Sequence, residues 1–467
     1  MPAHASRRST LIAILSCALA TVSVARPAMV GAAPSPTGTT YNVVWDDFSK
    51  GFTVGDVGTA AKWFYFGAGP FVGNDGVATT SNKGLRVAPP ATNPATGLPA
   101  FSLTLGQEGA ADNPFGLPGG IDHVKWLVYA NAVSSAGYPG FDAVPGRELT
   151  FDSWVSGQSY GNEQHPFGSA VADPDDDIRL ATSAMPTIDF ETYLVSDFFL
   201  TNKRIYAVYE RLPFGRTATD NYAAFTYAIP VADRKPGQQH HLTIGYDRSA
   251  NVIRWLVNDV EVFRVTRPGY RLPSRQYMIL DHGGEERDVA CRQRDLGLGM
   301  FTLLDAGNPS QQALVQLSSA PGFYFSTTLG SPTPQTFLDP LSQPGSRIWG
   351  EGAVLQVQKV RIASQRPMLA QAAVAGGTSV GSPIRFGIHA SGAGSLGLSF
   401  SLPTNKAVRL EVFDVSGRLV SARDLTSVAA GAQSTTVTLA RSLGRGVYLA
   451  RLTQGSQSAT RKFAYIP

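Results

Sequence analysis

Apolar and polar residues alternate along most of the chain between residues 41 and 364. Segment 148–156 is a clear case, because its apolar and polar residues occupy alternate positions. Successive side chains of a strand point to opposite faces, so a period of two predicts strands with one buried face. Proline, glycine and asparagine separate these segments, which is typical of short strands joined by turns. The pattern predicts an all-β protein with an antiparallel jelly-roll sandwich.

Three alternating segments follow one another between His240 and Arg264, with the pair Asn258-Asp259 between the last two. This order predicts a pair of hairpins. The run resembles strands of laminarinases and laminin-G-like domains. Segment 41–66 is similar to the opening of concanavalin A-like jelly rolls, and Leu355–Ile362 resembles their closing strand. The resemblance implies one concanavalin A-like domain over residues 41–364.

Two carboxylates lie two positions apart in the segment Thr187-Ile188-Asp189-Phe190-Glu191. If residues 187–195 form one strand, alternate side chains share a face. One face then carries Thr187, Asp189, Glu191 and Tyr193, and the other carries Ile188, Phe190, Thr192 and Leu194. We expect the first face to line a groove or a solvated surface and the second, mostly apolar, face to join the core.

The same segment resembles the catalytic strand of glycoside hydrolase family sixteen, which reads Glu-x-Asp-x-Glu. The resemblance implies that Asp189 is the helper and that Glu191 is the general acid/base. Thr187 stands where that family has its nucleophile, and a hydroxyl group cannot replace a carboxylate in a retaining double displacement. Glu210, on the next alternating segment, is the candidate for the missing second carboxylate.

Trp154 lies among hydrogen-bonding residues on the polar side of segment 148–156. An aromatic ring beside polar groups suits a sugar, which has an apolar face and a rim of hydroxyl groups. The candidate ligand-binding residues are therefore Trp154, Asp152, Thr187 and Tyr193. An ordinary half-buried tryptophan is the alternative. Three functions stay open: binding of a polysaccharide without catalysis, hydrolysis of a β-glycan, and a structural or adhesive role at the cell surface.

Segments 63–71, 123–129 and 188–192 are similar to sequences that recur in a family of secreted bacterial proteins with no assigned function. Residues 1–33 read as a signal peptide, since Arg7-Arg8 precedes an apolar stretch from Leu11 to Ala25. No later segment approaches the 18 apolar residues of a membrane span. We therefore expect an extracellular or cell-surface protein without a transmembrane segment.

Residues 365–381 read as a flexible linker, and residues 382–467 form a second, smaller β-sandwich in this interpretation. The segments Val412–Arg418 and Gly446–Leu452 carry a resemblance to the C-terminal sorting domain of the type IX secretion system. The resemblance implies an immunoglobulin-like sandwich without enzymatic activity. It also implies that an outer-membrane secretion machinery is a partner.

The formal net charge of +4 is unevenly distributed. The first 33 residues contribute +3 and residues 382–467 contribute +7, so residues 34–381 carry about −6 by subtraction. A mildly acidic central domain argues against nucleic acid as a ligand. No cofactor is required. A structural calcium ion at Asp46 and Asp47 is expected from the jelly-roll resemblance, because such folds carry an ion near the first strand.

Overall fold

The structure is a computed structural model. It describes residues 39–68, 71–102, 123–165, 167–303, 324–326, 334–335, 349–367, 385–391, 395–402, 405, 407–414, 418–425, 431–438, 446–454 and 457–465. The predicted signal peptide and most of the predicted linker lie outside these residues.

The described residues fold into strands joined by turns and three short 3₁₀-helices, at Asn162–Gln164, Gly168–Ala170 and Pro213–Gly215. As far as residue 365 the strands are β1 (Tyr41–Asp46), β2 (Trp63–Tyr65), β3 (Gly67–Ala68), β4 (Phe71–Val72), β5 (Val77–Ser81), β6 (Gly84–Ala88), β7 (Ala91–Thr92), β8 (Pro99–Ala100), β9 (Val124–Ala130), β10 (Phe141–Asp142), β11 (Glu148–Tyr160), β12 (Thr182–Met185), β13 (Thr187–Asp189), β14 (Leu194–Leu200), β15 (Arg204–Arg211), β16 (Phe225–Asp233), β17 (His240–Asp247), β18 (Val252–Val257), β19 (Val260–Val265), β20 (Met278–Asp281), β21 (Gln293–Phe301), β22 (Tyr324–Phe325), β23 (Pro334–Gln335) and β24 (Gly352–Gln365).

Two antiparallel sheets account for most of these strands. The smaller sheet has the order β19-β18-β17-β11-β24-β6-β5, with β1 also paired to β24. The larger sheet has the order β2-β9-β21-β12-β14-β15-β16-β20-β22-β23, with β10 and β13 attached at its middle. The prediction of an all-β antiparallel sandwich of the jelly-roll class is confirmed.

The larger sheet is buried on both faces. Its inner face packs against the smaller sheet, where Phe198 and Leu296 join Phe151 and Ile244 of that sheet in one core. Its outer face carries a second apolar cluster that spans β9, β14 and β15 and includes Val195. Alternation on a strand of this sheet therefore separates two buried environments, not a core and a solvated surface.

The predicted strand over residues 187–195 is interrupted. Strand β13 ends at Asp189, a turn occupies residues 190–193, and β14 begins at Leu194. Tyr193 has a φ of 57°, in the left-handed region that turns use. The two carboxylates of this segment are therefore not side by side on one strand, because Glu191 belongs to the turn.

A hydrogen bond joins the two sheets across the core. The Trp255 indole N–H, on β18, donates to the backbone carbonyl of Asp197, on β14, over 2.9 Å. Trp255 is fully buried and packs against Phe263 with 5.1 Å between the ring centroids. This contact fixes β14 against the smaller sheet at the residue whose side chain points to the outer face.

Two further antiparallel sheets lie in the C-terminal part of the chain. Their strands are β25 (Arg385–Ser391), β26 (Ser395–Leu402), β27 (Val408–Asp414), β28 (Leu419–Leu425), β29 (Gly431–Thr438), β30 (Gly446–Gln454) and β31 (Gln457–Tyr465). The orders are β25-β26-β29 and β28-β27-β30-β31. Leu398 of the first sheet and Leu452 of the second share one apolar cluster, so this region is a small sandwich, as predicted. Among the described residues, no helix has the length and hydropathy of a membrane span.

We predict that Trp255→Phe lowers the free energy of unfolding by about 1–3 kcal/mol, because the buried Asp197 carbonyl loses its indole donor while most of the packing is kept. Urea unfolding monitored by circular dichroism measures this change. Phe263→Leu, which alters packing at the same place without removing a hydrogen bond, is the control. An unchanged Trp255→Phe midpoint would show that the inter-sheet hydrogen bond contributes nothing.

Candidate active site on the outer face of the larger sheet

Thr187 and Asp189 point between the two sheets. Thr187 pairs with Leu296, which belongs to the inner core. Its hydroxyl donates to the Ser196 carbonyl over 2.6 Å and accepts from Arg294 Nη2 over 2.8 Å. The expectation that this face lines a groove is therefore wrong, since both residues are fully buried. The outer face of β13 carries Ile188 instead. Because both faces of this sheet are apolar and buried, alternation alone did not show which face Thr187 and Asp189 would occupy.

Asp189 holds the turn that follows it. Its carboxylate accepts from the backbone N–H of Glu191 over 2.8 Å and from the Thr192 hydroxyl over 2.9 Å. Gln293 Nε2 donates to the same group over 2.6 Å. Burial raises the pKa of Asp189, and the hydrogen bonds from Glu191 and Thr192 act in the opposite direction. Asp189 therefore stabilises the turn that follows β13.

Glu191 forms an ion pair at the surface. Arg292 donates to its two oxygens over 2.5 and 2.8 Å, and the Arg292 side chain is 50% exposed. Tyr193, in the same turn, packs edge-on against Phe214 at 6.4 Å between the ring centroids. Glu191 and Tyr193 are thus separated from the inward-facing Thr187 and Asp189. The four residues do not line one groove, and the catalytic and binding roles predicted for them stay predictions.

Trp154 and Asp152 belong to a different sheet from Thr187. They lie on β11 in the smaller sheet, so they cannot share a groove floor with β13. The Trp154 ring stacks on His241 with 4.1 Å between the centroids, and Lys359 Nζ lies 4.4 Å from the ring centroid. Asp152 Oδ1 lies 3.0 Å from His241 Nε2 and accepts from Arg361 Nε over 2.8 Å. Side chains of the protein thus already contact the Trp154 ring, which was predicted to stack against a sugar.

Asp46 and Asp47 accept hydrogen bonds from neighbouring protein groups. Asp46 accepts from the Trp63 indole and from the Phe48 N–H, each over 2.8 Å, and Asp47 accepts from the Ser49 hydroxyl over 2.6 Å. In the described part of the chain, no three His, Cys, Asp or Glu residues are grouped to hold a metal ion. Calcium binding at the two aspartates stays a prediction.

Glu210 stands at the centre of a different group of residues. It lies on β15, pairs with Val195 on one side and with Thr226 on the other, and accepts a short hydrogen bond from the Thr226 hydroxyl. Val195 belongs to the outer cluster, so the Glu210 side chain points to the outer face. Burial raises the pKa of Glu210 to about 7.

Two more carboxyl groups lie on the same face. Asp197 pairs with Val208, and Asp295 pairs with Ile188, and both apolar partners belong to the outer cluster. Asp197 accepts from the Thr187 N–H over 2.9 Å and Asp295 from the Leu296 N–H over 2.8 Å. Asp295 Oδ2 is buried and has no hydrogen-bond partner among the residues that the structure describes.

Burial raises the pKa of both aspartates well above the usual range, and the neighbouring Glu210 raises that of Asp197 further. Among the described residues, neither aspartate is joined to a Lys, Arg or His in an ion pair, and the same is true of Glu210. The Thr187 N–H and the Arg294 charge act in the opposite direction on Asp197, but burial is the largest cause and favours the neutral form of both aspartates.

Tyr129 completes the group. It lies on β9 opposite Gly297 of β21, and its ring extends over that glycine: a Cβ atom at Gly297 would lie 2.9 Å from Tyr129 Cε1. Burial raises the pKa of the Tyr129 phenol well above its usual range. We call Tyr129, Asp197, Glu210 and Asp295 the outer-face acid cluster.

Aromatic side chains adjoin the outer-face acid cluster. Phe190 packs edge-on against Tyr129 with 5.1 Å between the ring centroids, and Phe64 lies 5.9 Å from the same ring. Phe190 is half-buried and comes from the turn that Asp189 holds. Carboxyl groups beside aromatic rings on a sheet face are a common composition for a sugar site.

Sequence reasoning found Glu210 but missed Tyr129, Asp197 and Asp295. A signal was present for the two aspartates, because each is an isolated acid in a strand that is otherwise largely apolar, Leu194–Leu200 and Gln293–Phe301. When such an acid is buried, it needs either a hydrogen-bonding or oppositely charged partner or a bound proton. Tyr129 carries no comparable signal, since a tyrosine in an apolar strand is ordinary.

The fold and the site define a class of protein: an all-β sandwich with a cluster of buried acids on the outer face of one sheet, followed by a small β-sandwich. Residues 45–366 match the model of a family of unknown function, DUF6081, and the chain belongs to that family. Residues 393–465 match the model of the secretion system C-terminal sorting domain. The protein is therefore secreted or displayed at the cell surface, as predicted.

Known proteins similar to this chain include the uncharacterized protein L829 of Acanthamoeba polyphaga mimivirus, which is 28% identical over 63% of this chain and 83% of its own length. Among solved structures, a sialidase has a TM-score of 0.30 and 11% identity, and the match covers 72% of this chain but only 19% of the sialidase. A Bacillus licheniformis β-glucanase has a TM-score of 0.28 and 8% identity, with 70% and 98% covered. These structural similarities are too distant to assign an activity.

We predict that the free energy of unfolding falls as the pH rises from about 4.5 to about 7. Glu210 keeps its proton up to about pH 7 in the folded protein, whereas the unfolded chain releases it near 4.5. Unfolding therefore releases a proton between these values, and stability decreases with pH there. The share of Glu210 is about 3 kcal/mol, and Glu210→Gln removes it.

Urea unfolding at several pH values from 4.5 to 8 measures this slope. Glu261→Gln, on β19 of the smaller sheet, is the matched control and is expected to keep the wild-type slope. The pKa assigned to Glu210 is contradicted when Glu210→Gln and the wild type lose stability equally over this range.

Proposed function

We propose that the protein is a secreted glycan-processing protein whose site is the outer-face acid cluster, with Glu210 as the group that transfers protons. The observation that carries this proposal is the raised pKa of Glu210, near 7, in a half-buried position. A general acid or base works best when its pKa lies near the working pH. Perturbed carboxyl groups of this kind concentrate at functional sites.

A glycan is the favoured substrate for three reasons. Phe190 presents an apolar surface beside carboxyl groups, which matches the mixed character of a sugar ring. The sorting domain sends the protein to where polysaccharides are exposed. The sequence itself resembles glycan-acting jelly rolls in segments 41–66 and 240–264.

Glycan binding without catalysis is the second candidate, and it uses the same face. Phe190 favours it, since a half-buried aromatic ring can hold a sugar without any proton transfer.

We extend the proposal to export: the sorting domain passes the protein to an outer-membrane secretion machinery. The division into a domain at 41–364, a linker at 365–381 and a domain at 382–467 is part of this proposal.

We expect wild-type protein to cleave at least one polysaccharide in a panel of neutral and acidic glycans, measured as new reducing ends and as shorter chains in size-exclusion chromatography. Glu210→Gln is expected to lower the rate by about 10²- to 10⁴-fold, because it removes the proton-transfer group but keeps the size of the side chain. Circular dichroism checks that the variant is folded.

Glu191→Gln and Glu261→Gln are measured in parallel. The first tests the acid/base role that the sequence resemblance implies, and the second, on the smaller sheet, is a neutral control. Loss of cleavage in Glu191→Gln with full activity in Glu210→Gln would overturn the proposed site. Retained binding on a glycan array with no cleavage by the wild type would support the binding candidate instead.

A further inference from the structure

Three arginines surround one tyrosine ring near the point where β15 ends. Their guanidinium carbon atoms lie close to the centroid of the Tyr222 ring, at 3.8 Å for Arg211, 5.7 Å for Arg216 and 5.6 Å for Arg287. Like charges at such separations repel one another, so the group is favourable only where anions balance it. We call these four residues the strand-end arginine cluster.

The protein supplies little negative charge to this cluster. Asp220 forms an ion pair with Arg287 over 2.6 Å, in which the arginine is 51% exposed and the aspartate 37% exposed. Surface ion pairs are weak, so Arg287 stays available to a ligand. Glu285, whose backbone is bridged to Tyr222, is a second nearby carboxylate and is exposed. Among the described residues, the other two arginines of the cluster form no ion pair.

Arg216 is held in place by the backbone. It donates over 2.8, 3.1 and 2.6 Å to the carbonyl oxygens of Tyr222, His282 and Gly283. A guanidinium group has five N–H donors, so donors remain for a further partner. The nearby Asp281 forms its ion pairs with Arg271 and Arg275 instead. Arg216 is therefore a fixed, half-buried cation that can still bind an anion.

Arg211 adds a charge that the described residues leave unbalanced. It is 3% exposed, and its Nε and Nη1 atoms are buried without a hydrogen-bond partner in the described part of the chain. Arginine cannot lose its proton in a protein, and a buried unpaired charge is costly. The face of Tyr222 attracts the cation but offers no acceptor to these N–H groups. Arg211 therefore raises the positive potential around the two arginines nearer the surface without contacting a ligand itself.

Two half-buried aromatic rings adjoin the strand-end arginine cluster. Tyr193 packs edge-on against Phe214 with 6.4 Å between the ring centroids. A Cβ atom at Gly215 would lie 2.7 Å from Tyr193 Cδ2 and 3.0 Å from the Tyr222 hydroxyl oxygen. The Tyr193 ring thus reaches the cluster through the space that the glycine leaves. Its phenol makes no hydrogen bond to another described residue, so the O–H group is available to a ligand.

The cluster lies at the same end of the larger sheet as Glu210. Arg211 follows Glu210 directly on β15, and Leu212, two positions on, lies about 7 Å further along the chain. The Leu212 N–H donates to the Tyr193 carbonyl over 3.0 Å, and Tyr193 shares its turn with Phe190. A polysaccharide bound beside Phe190 and Glu210 can therefore extend to the cluster.

We propose that the strand-end arginine cluster binds an anionic substituent of a polysaccharide, either the carboxylate of a uronic acid or a sulfate ester; this inference rests on the proposed function of the neighbouring Glu210. Both groups present several oxygens to the forked N–H donors of arginine. Arg216, Arg287 and the Tyr193 phenol contact the anion, and the aromatic pair Tyr193 and Phe214 carries the sugar. The substrate of the protein is thus an acidic glycan.

Binding of the full-length protein to matched polymers tests this inference. Dextran sulfate is compared with dextran, and polygalacturonate is compared with its methyl ester, so that the members of each pair differ in charge. Affinity electrophoresis measures the dissociation constants. We expect the charged member of at least one pair to bind about tenfold or more tightly than its neutral counterpart, and the pair that responds distinguishes sulfate from carboxylate.

Arg287→Gln and Arg409→Gln form a matched pair of variants. The two arginines are 51% and 50% exposed and each pairs with an aspartate, but Arg409 lies in the C-terminal sandwich. We expect Arg287→Gln to weaken binding of the charged polymer about tenfold and Arg409→Gln to leave it unchanged. Tyr193→Phe is expected to weaken it about 2- to 10-fold with the same urea midpoint, because the lost O–H has no partner among the described residues.

Arg211→Met separates a role in binding from a purely structural one. Methionine keeps an unbranched side chain but removes the unpaired charge. We expect an unchanged or higher urea midpoint, together with weaker and less salt-dependent binding of the charged polymer. A lower midpoint with unchanged binding would show that Arg211 only packs against Tyr222, and it would overturn the positioning role of Arg211.

Failure of this inference is distinguishable from failure of the proposed function. Equal binding of both members of each pair, or equal weakening by Arg287→Gln and Arg409→Gln, overturns the anion site. Cleavage of a neutral polymer that is lost in Glu210→Gln then leaves the proposed function intact. Charge-dependent binding that Arg287→Gln weakens supports the anion site even when no polymer is cleaved, and the absence of cleavage overturns only the catalytic role of Glu210.

Discussion

Burial of a carboxyl group in an apolar face disfavours its charged form, and the outer face of the larger sheet is built around this constraint. On neighbouring parts of this face, burial raises the pKa of Asp197 and Asp295 well above the usual range, and it raises that of Glu210 to about 7. The backbone supports the arrangement from behind, since Trp255 of the other sheet donates to the carbonyl of Asp197. An acid cluster of this kind disfavours the charged state, and proton transfer is the role that we propose for it.

The fold was largely predictable from sequence, and the reason is the period of two. Segments such as 240–264 alternate cleanly and became β17, β18 and β19 with the expected short connections. The break in segment 187–195 was not predictable from periodicity. It depends on Asp189 accepting from two backbone N–H groups of the turn and on the left-handed conformation of Tyr193. Local hydrogen bonding overrode an alternation that would also suit a continuous strand.

The site was predictable only in part. Alternation says which residues share a face, but it does not say which face is inside when both are buried. Thr187 and Asp189 were therefore expected to face a groove, while the structure turns them toward Arg294 and Gln293 in the interior. Trp154 shows a different limit, because its ring is engaged by His241 and Lys359 from neighbouring strands. Contacts across strands cannot be read from one segment.

The turn after β13 contacts both the core between the two sheets and the outer face of the larger sheet. Asp189 anchors it from the interior, and Phe190 leaves it toward the outer face to meet Tyr129. A substitution that weakens the hydrogen bonds from the turn to Asp189 therefore also shifts Phe190, which lies beside the outer-face acid cluster. The position of Phe190 and the conformation of the turn that Asp189 stabilises therefore change together.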